Sequence, residues 1–140
     1  MEVLTLDRTL TELDHVRLRN MVRRAAPEAP AAHAAHDIEH ILDAAAIVEV
    51  REVPADIVTM YSQVLLSDFR TGRQRKLTLC YPRDAEPSRG FISVLSPVGA
   101  SLLGLRVGCV ARWRTPVGED GRAELLAILF QPEANGDYTM

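Results

Sequence analysis

The fold is decided by one short stretch, Phe91-Ile92-Ser93-Val94-Leu95-Ser96-Pro97-Val98-Gly99. Its first five residues are typical of a short strand, and Ser96-Pro97 ends that strand. Proline costs no hydrogen bond at the first position of a helix, so one or two helical turns are expected to follow. Gly104 or Gly108 then closes the helix. The stretch therefore predicts a strand that turns sharply into a short helix.

Extended segments lie on both sides of this stretch. Residues 58–69 and 76–81 flank Arg70-Thr71-Gly72-Arg73, which predicts a hairpin because the glycine permits a tight reversal. Residues 109–115 and 123–131 flank a second glycine-containing loop, Gly118-Glu119-Asp120-Gly121. From residue 53 to residue 140 the sequence thus predicts a curved antiparallel sheet packed on one short helix.

The first 52 residues have helical rather than extended patterning. Thr9 and Glu12 have the spacing of a capping box, which predicts a first helix from Thr9 to Arg24. A Pro-rich loop at 26–30 breaks it, and a second helix is expected from near His33. The expected apolar positions are Leu10, Leu13, Val16 or Arg17, and Met21 on the first helix, and Ile38, Ile41, Leu42 and Ala45 on the second. Residues 1–52 are therefore predicted to form an antiparallel helical hairpin, and the fold class is α+β.

Composition and charge restrict the classes of function. The chain has 140 residues, 47% hydrophobic and 25% charged, which is typical of a globular protein. Its net charge of −3 comes from basic and acidic residues mixed along the chain, so direct binding to nucleic acid is not expected. No signal peptide or apolar segment of about 20 residues is found, so a cytoplasmic protein without membrane contact is expected.

No enzyme motif or cofactor-binding motif occurs in the sequence. Cys80 and Cys109 lie in apolar segments and are expected to be buried free thiols. His33, His36 and His40 would share one face of a continuous helix and could hold a transition metal. The alternative is a solvated histidine-bearing surface, since no fourth ligand can be named.

Five blocks in one order resemble the Rnk proteins, the regulators of nucleoside diphosphate kinase. The blocks are Val58-Thr59-Met60-Tyr61-Ser62, Thr78-Leu79-Cys80-Tyr81-Pro82, Ile92 to Ala100, Leu102 to Gly108, and Gln131-Pro132-Glu133. The Rnk proteins are similar to the Gre factors. The resemblance implies a C-terminal domain with a fold like that of FK506-binding proteins (53–140), and an N-terminal coiled coil (1–52).

The resemblance also implies a partner and a site. The Gre factors bind RNA polymerase at the rim of its secondary channel through an Asp-Ser-Pro or Asn-Ser-Pro loop, which corresponds to Leu95-Ser96-Pro97 followed by Val98 and Gly99. Here leucine replaces the polar residue, and Ser96 has the alternative role of capping the short helix. At the hairpin tip, Pro27, Glu28, Pro30 and Asp37 include no close pair of carboxylates to hold magnesium. Transcript cleavage is therefore not expected.

The resemblance implies a protein that acts by occupying the rim of the secondary channel of RNA polymerase. A protein that binds the channel rim without cleavage chemistry competes with other channel factors by mass action, and its effect on nucleoside diphosphate kinase is indirect. Three alternatives stay open at this point: direct binding to that kinase, metal binding by the histidines, and peptidyl-prolyl isomerase activity. The last rests on analogy of fold alone.

Overall fold

Seven strands and three α-helices make up the described part of the chain. A computed structural model describes residues 8–24, 32–114, 118 and 120–138. The elements are β1 (Thr9–Thr11), α1 (Glu12–Arg24), α2 (Ala32–Ala44), β2 (Ala46–Val48), β3 (Gln63–Asp68), β4 (Gln74–Cys80), β5 (Phe91–Ser93), α3 (Pro97–Leu102), β6 (Val110–Arg114) and β7 (Asp120–Phe130). Three single 3₁₀ turns lie at Pro82–Asp84, Pro87–Arg89 and Glu133–Asn135.

The main sheet has five strands in the order β5-β4-β3-β7-β6. The β3–β4 hairpin is confirmed, although β3 begins at Gln63 rather than at Val58. The expectation of a wholly antiparallel sheet is wrong, because β5 pairs parallel with β4. Between these strands, two Pro-initiated 3₁₀ turns carry the chain back along the sheet. Such a crossover is what a parallel pair requires.

The last two strands also differ from expectation in their bounds. The loop was predicted to extend to Gly121, but β7 begins at Asp120 and pairs with β6 from that residue onward. Gly121 lies opposite Trp113, and a Cβ atom there would meet the indole ring at 2.2 Å. The strand therefore starts early because the missing side chain leaves room for the tryptophan.

The first element within the described residues is a strand, where a helix was predicted. Thr9 lies in β1, which pairs parallel with β2, and the Thr9 N–H donates to the Gly104 carbonyl at 3.1 Å. The helix α1 begins three residues later, at Glu12, and its cap is Thr11, whose Oγ1 accepts the Asp14 N–H at 3.1 Å. The capping box of Thr9 and Glu12 is therefore wrong. A tertiary hydrogen bond draws Thr9 into extended backbone, which spacing along the chain does not reveal.

The two long helices pack on each other near one end. The ring Nε2 of His15 lies 3.1 Å from the Leu42 carbonyl, and Arg19 pairs with Asp43 at 2.8 Å. In α2 the predicted apolar stripe is confirmed, since Ile38 and Leu42 are buried. In α1 it is displaced, because Asp14 and Leu18 are buried whereas Val16 is 56% exposed.

A single hydrophobic cluster joins the helices to the sheet. Its members from the N-terminal segment are Leu10, Leu18, Ile38 and Leu42, and they pack with Val58, Met60, Leu79, Leu102, Leu103, Leu105 and Leu125. At Gly104, φ is 73° and a Cβ atom would lie 2.9 Å from the Thr9 carbonyl oxygen. Glycine is needed there because β1 crosses directly over the end of α3.

No helix within the described residues is both long enough and apolar enough to cross a lipid bilayer.

Candidate functional site

The corner, residues 93–99, is the turn between β5 and α3. The Ser93 carbonyl accepts from the Ser96 N–H at 3.0 Å and from the Ser96 hydroxyl at 2.7 Å. The Ser93 Oγ accepts the Leu95 N–H at 3.0 Å, and the Ser96 Oγ accepts the Gly99 N–H at 3.1 Å. Ser96 is therefore the cap of α3, and the corner is held by its own backbone and two hydroxyl groups.

Gly99 shows how tightly the corner is folded. A Cβ atom at this position would lie 2.0 Å from the Ser93 carbonyl oxygen, which is backbone and cannot move aside. Of the residues predicted to contact a partner, Gly99 is thus buried, while Pro97 is exposed and Leu95, Ser96 and Val98 are half-buried. The surface that the corner presents to a partner is centred on Pro97.

Arg8, in the N-terminal segment, holds the end of α3, the helix that follows the corner. The Arg8 guanidinium donates from Nη1 to the carbonyls of Ala100 and Leu103, at 2.9 and 2.8 Å, near the C-terminal end of α3. A cation in this position satisfies carbonyls that have no partner within the helix. Burial lowers the pKa of Arg8 from its ordinary value. On the other side, the Val94 N–H donates to the Cys80 carbonyl and fastens the corner to the end of β4.

A strained tyrosine lies at the same end of β4. Tyr61 has φ of 68°, the only positive φ among the described residues that are not glycine. For a bulky residue this backbone costs about 1 kcal/mol or more. The Tyr61 hydroxyl donates to the Asp84 Oδ2 at 2.5 Å, and its N–H donates to the Leu79 carbonyl at 2.6 Å. Burial and the bond to Asp84 raise the pKa of Tyr61 to about 12.

A buried carboxyl joins the arm to the body. Asp14, on α1, is 1% exposed, and its Oδ2 accepts the Met60 N–H at 3.1 Å. Burial, and to a smaller extent the Glu133 charge, raise the pKa of Asp14 to about 7 against the lowering effects of the Met60 hydrogen bond and of Arg17. Burial also raises the pKa of Tyr81, and the Asp14 charge acts in the same direction. The hydrogen bond between Asp14 and Met60 thus ties the start of α1 to the segment that precedes β3.

The C-terminal segment completes that junction. The Thr59 hydroxyl donates to the Glu133 Oε1 at 2.7 Å, and burial raises the pKa of Glu133. The Gln131 side-chain amide donates to the carbonyls of Pro54 and Ile57, at 2.9 and 2.8 Å. Residues 54–62, which carry Tyr61, are therefore held between the helical arm and the end of the chain.

Sequence reasoning missed Asp14, Tyr61 and Glu133. The sequence gives a partial signal of this buried polar junction. Thr11 and Asp14 have the spacing of a helix cap, and Thr59 and Ser62 interrupt an apolar run. Their burial depends on contacts between residues far apart in the chain, such as Met60 with Asp14. No local pattern encodes those contacts.

The other predicted site residues lie on α2 or outside the described residues. Pro27, Glu28 and Pro30 of the hairpin tip lie outside the described residues, and Asp37 is exposed on α2. His40 is also exposed on α2, while the side chains of His33 and His36 lie outside the described residues. In the part of the chain that the structure describes, no group of three potential ligands could hold a metal ion.

The thiols lie in two different environments. Cys80 is buried, as expected, and its Sγ donates to the Ile92 carbonyl at 3.3 Å, whereas Cys109 is half-buried. Burial raises the pKa of Cys80, with a smaller contribution from the Asp84 charge. A thiol with a raised pKa is a poor nucleophile at neutral pH. Cys80 therefore does not mark the corner as a site of thiol chemistry, and the hydrogen-bonded corner is better suited to binding a partner.

Together the fold and the site define a small α+β protein with a helical arm and a stiff Ser-Pro corner. A family model described as "Transcription elongation factor, GreA/GreB, C-term" matches residues 53–130, which is more than half of the chain. The chain therefore belongs to the GreA/GreB family, and the resemblance inferred from its sequence is confirmed.

Individual relatives agree with this assignment. The chain is 43% identical over 99 residues to "Regulator of nucleoside diphosphate kinase" of Escherichia coli strain K12, which covers 71% of this chain and 73% of that protein. It is 34% identical over 93 residues to "Transcription elongation factor GreA" of Thermotoga maritima, over 66% of this chain and 58% of that protein. The solved structure of a GreA/GreB factor from Nitrosomonas europaea is similar with a TM-score of 0.71 and 31% identity, over 89% of this chain and 98% of that one.

Proposed function

We propose that this chain is a non-catalytic transcription regulator that binds RNA polymerase at the rim of the secondary channel. In this role it competes with Gre-type factors for the same surface, and its effect on nucleoside diphosphate kinase levels is indirect. Membership of the GreA/GreB family and the similarity to the Escherichia coli regulator support this proposal. The observation that carries it is the corner at residues 93–99.

The corner has the properties of a docking surface. Pro97 is exposed on a turn whose backbone is fastened by four hydrogen bonds among Ser93, Leu95, Ser96 and Gly99. A surface that is already ordered loses little conformational entropy on binding. Leu95 and Val98 flank the proline and are half-buried, so they add apolar contact area for a partner. Tyr61 and Asp84 lie at the same end of β4 and widen this surface.

We assign the chain two domains with different roles in binding the polymerase. Residues 1–52 form a short antiparallel hairpin of coiled-coil type, and residues 53–140 form a domain like that of FK506-binding proteins. The family match from residue 53 and the contacts of His15 and Arg19 with the end of α2 support this division. With 13 residues, α1 is about 20 Å long at 1.5 Å per residue. So short an arm favours occupancy of the rim over action deep in the channel.

The proposal is tested by replacing the exposed proline. The variant Pro97→Ala should bind purified RNA polymerase about tenfold more weakly, as expected for the central residue of an interface. Pro87→Ala is the matched control, because Pro87 is likewise an exposed proline at the start of a helical turn, on another part of the surface. Affinity is measured by surface plasmon resonance, and circular dichroism is recorded for each variant.

Competition is measured on the same material. Increasing concentrations of a Gre factor should displace the wild-type chain from polymerase, and the chain should not stimulate cleavage of RNA in stalled complexes. Absence of binding by the folded wild-type chain would overturn the proposed function. Equal binding by folded Pro97→Ala and wild type would remove the corner from it.

A further inference from the structure

The fold collects unneutralised positive charge at the β3–β4 end of the sheet. We name this region the basic end; it consists of Phe69, Arg70, Arg73, Arg75, Lys76 and Arg122, with Arg75 and Lys76 on opposite faces of β4. All six residues are exposed. The first five lie on the β3–β4 turn and the start of β4, and Arg122 lies on the neighbouring strand β7, with its guanidinium 5.5 Å from the Phe69 ring centroid.

The cations of the basic end differ from the arginines around them. Elsewhere on the body, Arg83, Arg89, Arg106 and Arg114 each pair with a carboxylate, at 4.0, 3.9, 2.8 and 2.9 Å. Among the described residues, no carboxylate forms an ion pair with a cation of the basic end. The charges are therefore available to an anionic partner.

The carboxylate at the start of the turn is already engaged. Asp68 accepts the backbone N–H groups of Arg70 and Thr71, at 2.7 and 3.0 Å, and these bonds lower its pKa. It thus shapes the turn that presents the arginines. Although the whole chain carries −3, residues 68–76 contain four cations and one carboxylate. The net charge of the whole chain averages out this local excess of cations, and the excess changes the expectation about nucleic acid.

We propose that the basic end binds a single strand of nucleic acid. Four of its five cations are arginines, whose planar guanidinium groups match phosphate oxygens. Phe69 is 52% exposed, with Arg122 over its ring, and it offers an aromatic surface on which a base can stack. It is the only apolar residue of the basic end, so the apolar core that a protein interface usually has is missing. Exposed cations on the same turn as an exposed aromatic ring fit a strand whose phosphates contact the cations while a base stacks on the ring.

This surface is separate from the corner. The turn at 69–73 precedes β4, whereas the corner is fastened to Cys80 at the other end of that strand. Seven residues of strand place the two surfaces about 20 Å apart. One copy of the protein could hold a protein partner at one end of the sheet and a nucleic-acid strand at the other. The inference does not depend on the proposed function.

Fluorescence anisotropy with the full chain tests the proposal. A labelled single-stranded RNA of about 10 nucleotides should bind at low salt with a Kd of roughly 1 to 100 μM, and the affinity should fall as salt is raised. The double variant Arg73→Gln/Arg75→Gln should weaken binding about tenfold and reduce the salt slope by about 1.4, since each phosphate contact on a single strand contributes about 0.7. The matched control Arg83→Gln/Arg106→Gln removes the same charge from two exposed arginines that pair with carboxylates outside the basic end, and should change the Kd less than twofold.

A second pair of variants tests the aromatic ring. Phe69→Leu keeps an apolar side chain but loses the stacking surface, so we expect binding to weaken about tenfold. Phe130→Leu is its control, because Phe130 is also exposed but lies outside the basic end. A single-stranded DNA of the same sequence distinguishes RNA from single strands in general, and either result upholds the site.

Three results would overturn the inference. They are the absence of binding at about 100 μM protein in low salt, tighter binding of duplex than of single strands, and displacement of the RNA by poly-glutamate at lower charge concentration than by unlabelled RNA. The last result would assign the basic end to an acidic protein. Circular dichroism of each variant ensures that a loss of binding is not a loss of folding.

Discussion

At the scale of single residues, Asp14 is a carboxyl group that is almost completely removed from water. It is buried at the junction of α1 with Met60, and its pKa is raised from 3.8 to about 7, chiefly by burial. A carboxyl group with a raised pKa holds its proton in the folded state after the unfolded chain has released it. The free energy of unfolding therefore falls as pH rises from about 4 to about 7.

Asp14→Asn should remove this loss of stability. Asparagine keeps an oxygen for the Met60 N–H and carries no charge to desolvate, so the variant should be more stable than wild type at pH 8. The gain is a few kcal/mol at about 1.4 kcal/mol per pKa unit, and it should vanish near pH 4. Urea unfolding at several pH values measures it. Asp37→Asn, at an exposed position on α2, is the control and should leave the pH profile unchanged.

A wild-type stability that stays constant between pH 4 and pH 7 would contradict this account of Asp14. So would an Asp14→Asn variant that is less stable than wild type at pH 8, because the Met60 bond would then require the ionised carboxylate.

The residues of the corner were predictable because their roles are local. Ser96 caps α3 and Pro97 begins it, and both roles follow from the preferences of serine and proline within four residues of sequence. Tyr61 was not predictable. Its positive φ occurs together with hydrogen bonds to Leu79 and Asp84, which lie about 20 residues away.

At the scale of elements, the start of α1 shows how a tertiary contact overrides a local signal. Thr9 and Thr11 both stand before a helix, and both have an acidic residue three positions later. Thr11 is the cap, because β1 is drawn out by its pairing with β2 and by the Gly104 carbonyl. The helix can begin only after that strand ends.

The two threonines provide a direct test of this register. Thr11→Val keeps the buried volume but removes the oxygen that accepts the Asp14 N–H, so it should cost about 1 kcal/mol of folding stability. Thr9→Val is the matched control and should cost less than about 0.5 kcal/mol. Chemical denaturation measures both. A larger cost at Thr9 than at Thr11 would mean that α1 begins at Thr9.

The parallel pairing of β5 with β4 belongs to the same scale. Prolines at 82 and 87 each start a 3₁₀ turn, and the two turns return the chain to the level of Thr78 before β5 begins. A tight reversal after Cys80 would have produced an antiparallel strand. The sequence marks these turns by proline, but the direction of the next strand depends on how far the chain travels between them.

At the scale of the whole molecule, the helices and the sheet share one core. Leu10, Leu18, Ile38 and Leu42 pack with residues from the sheet and from α3, and Arg8 holds the end of α3. A proposed domain boundary near residue 53 therefore does not imply two independent folding units.

Removal of residues 1–52 should destabilise the remainder severely. Each of the four buried aliphatic side chains contributes about 1.5 to 3 kcal/mol by burial, so the fragment 53–140 should lose more than about 3 kcal/mol of stability. Urea unfolding of the fragment, followed by Trp113 fluorescence, measures the loss. The full chain is the control and should unfold in one transition by fluorescence and by circular dichroism. A fragment as stable as the full chain would show that the sheet folds without the arm.

The sequence by itself determined the features that arise from neighbouring residues. These are the Ser96-Pro97 helix start, the β3–β4 hairpin around Gly72, the apolar stripe of α2 and the family resemblance. Each depends on side-chain preference or periodicity over a few positions. The tertiary structure alone decided the burial of Asp14, the parallel β5 and the approach of Arg122 to Phe69. These features depend on which distant segments come together, and packing and hydrogen bonding across the whole chain settle that choice.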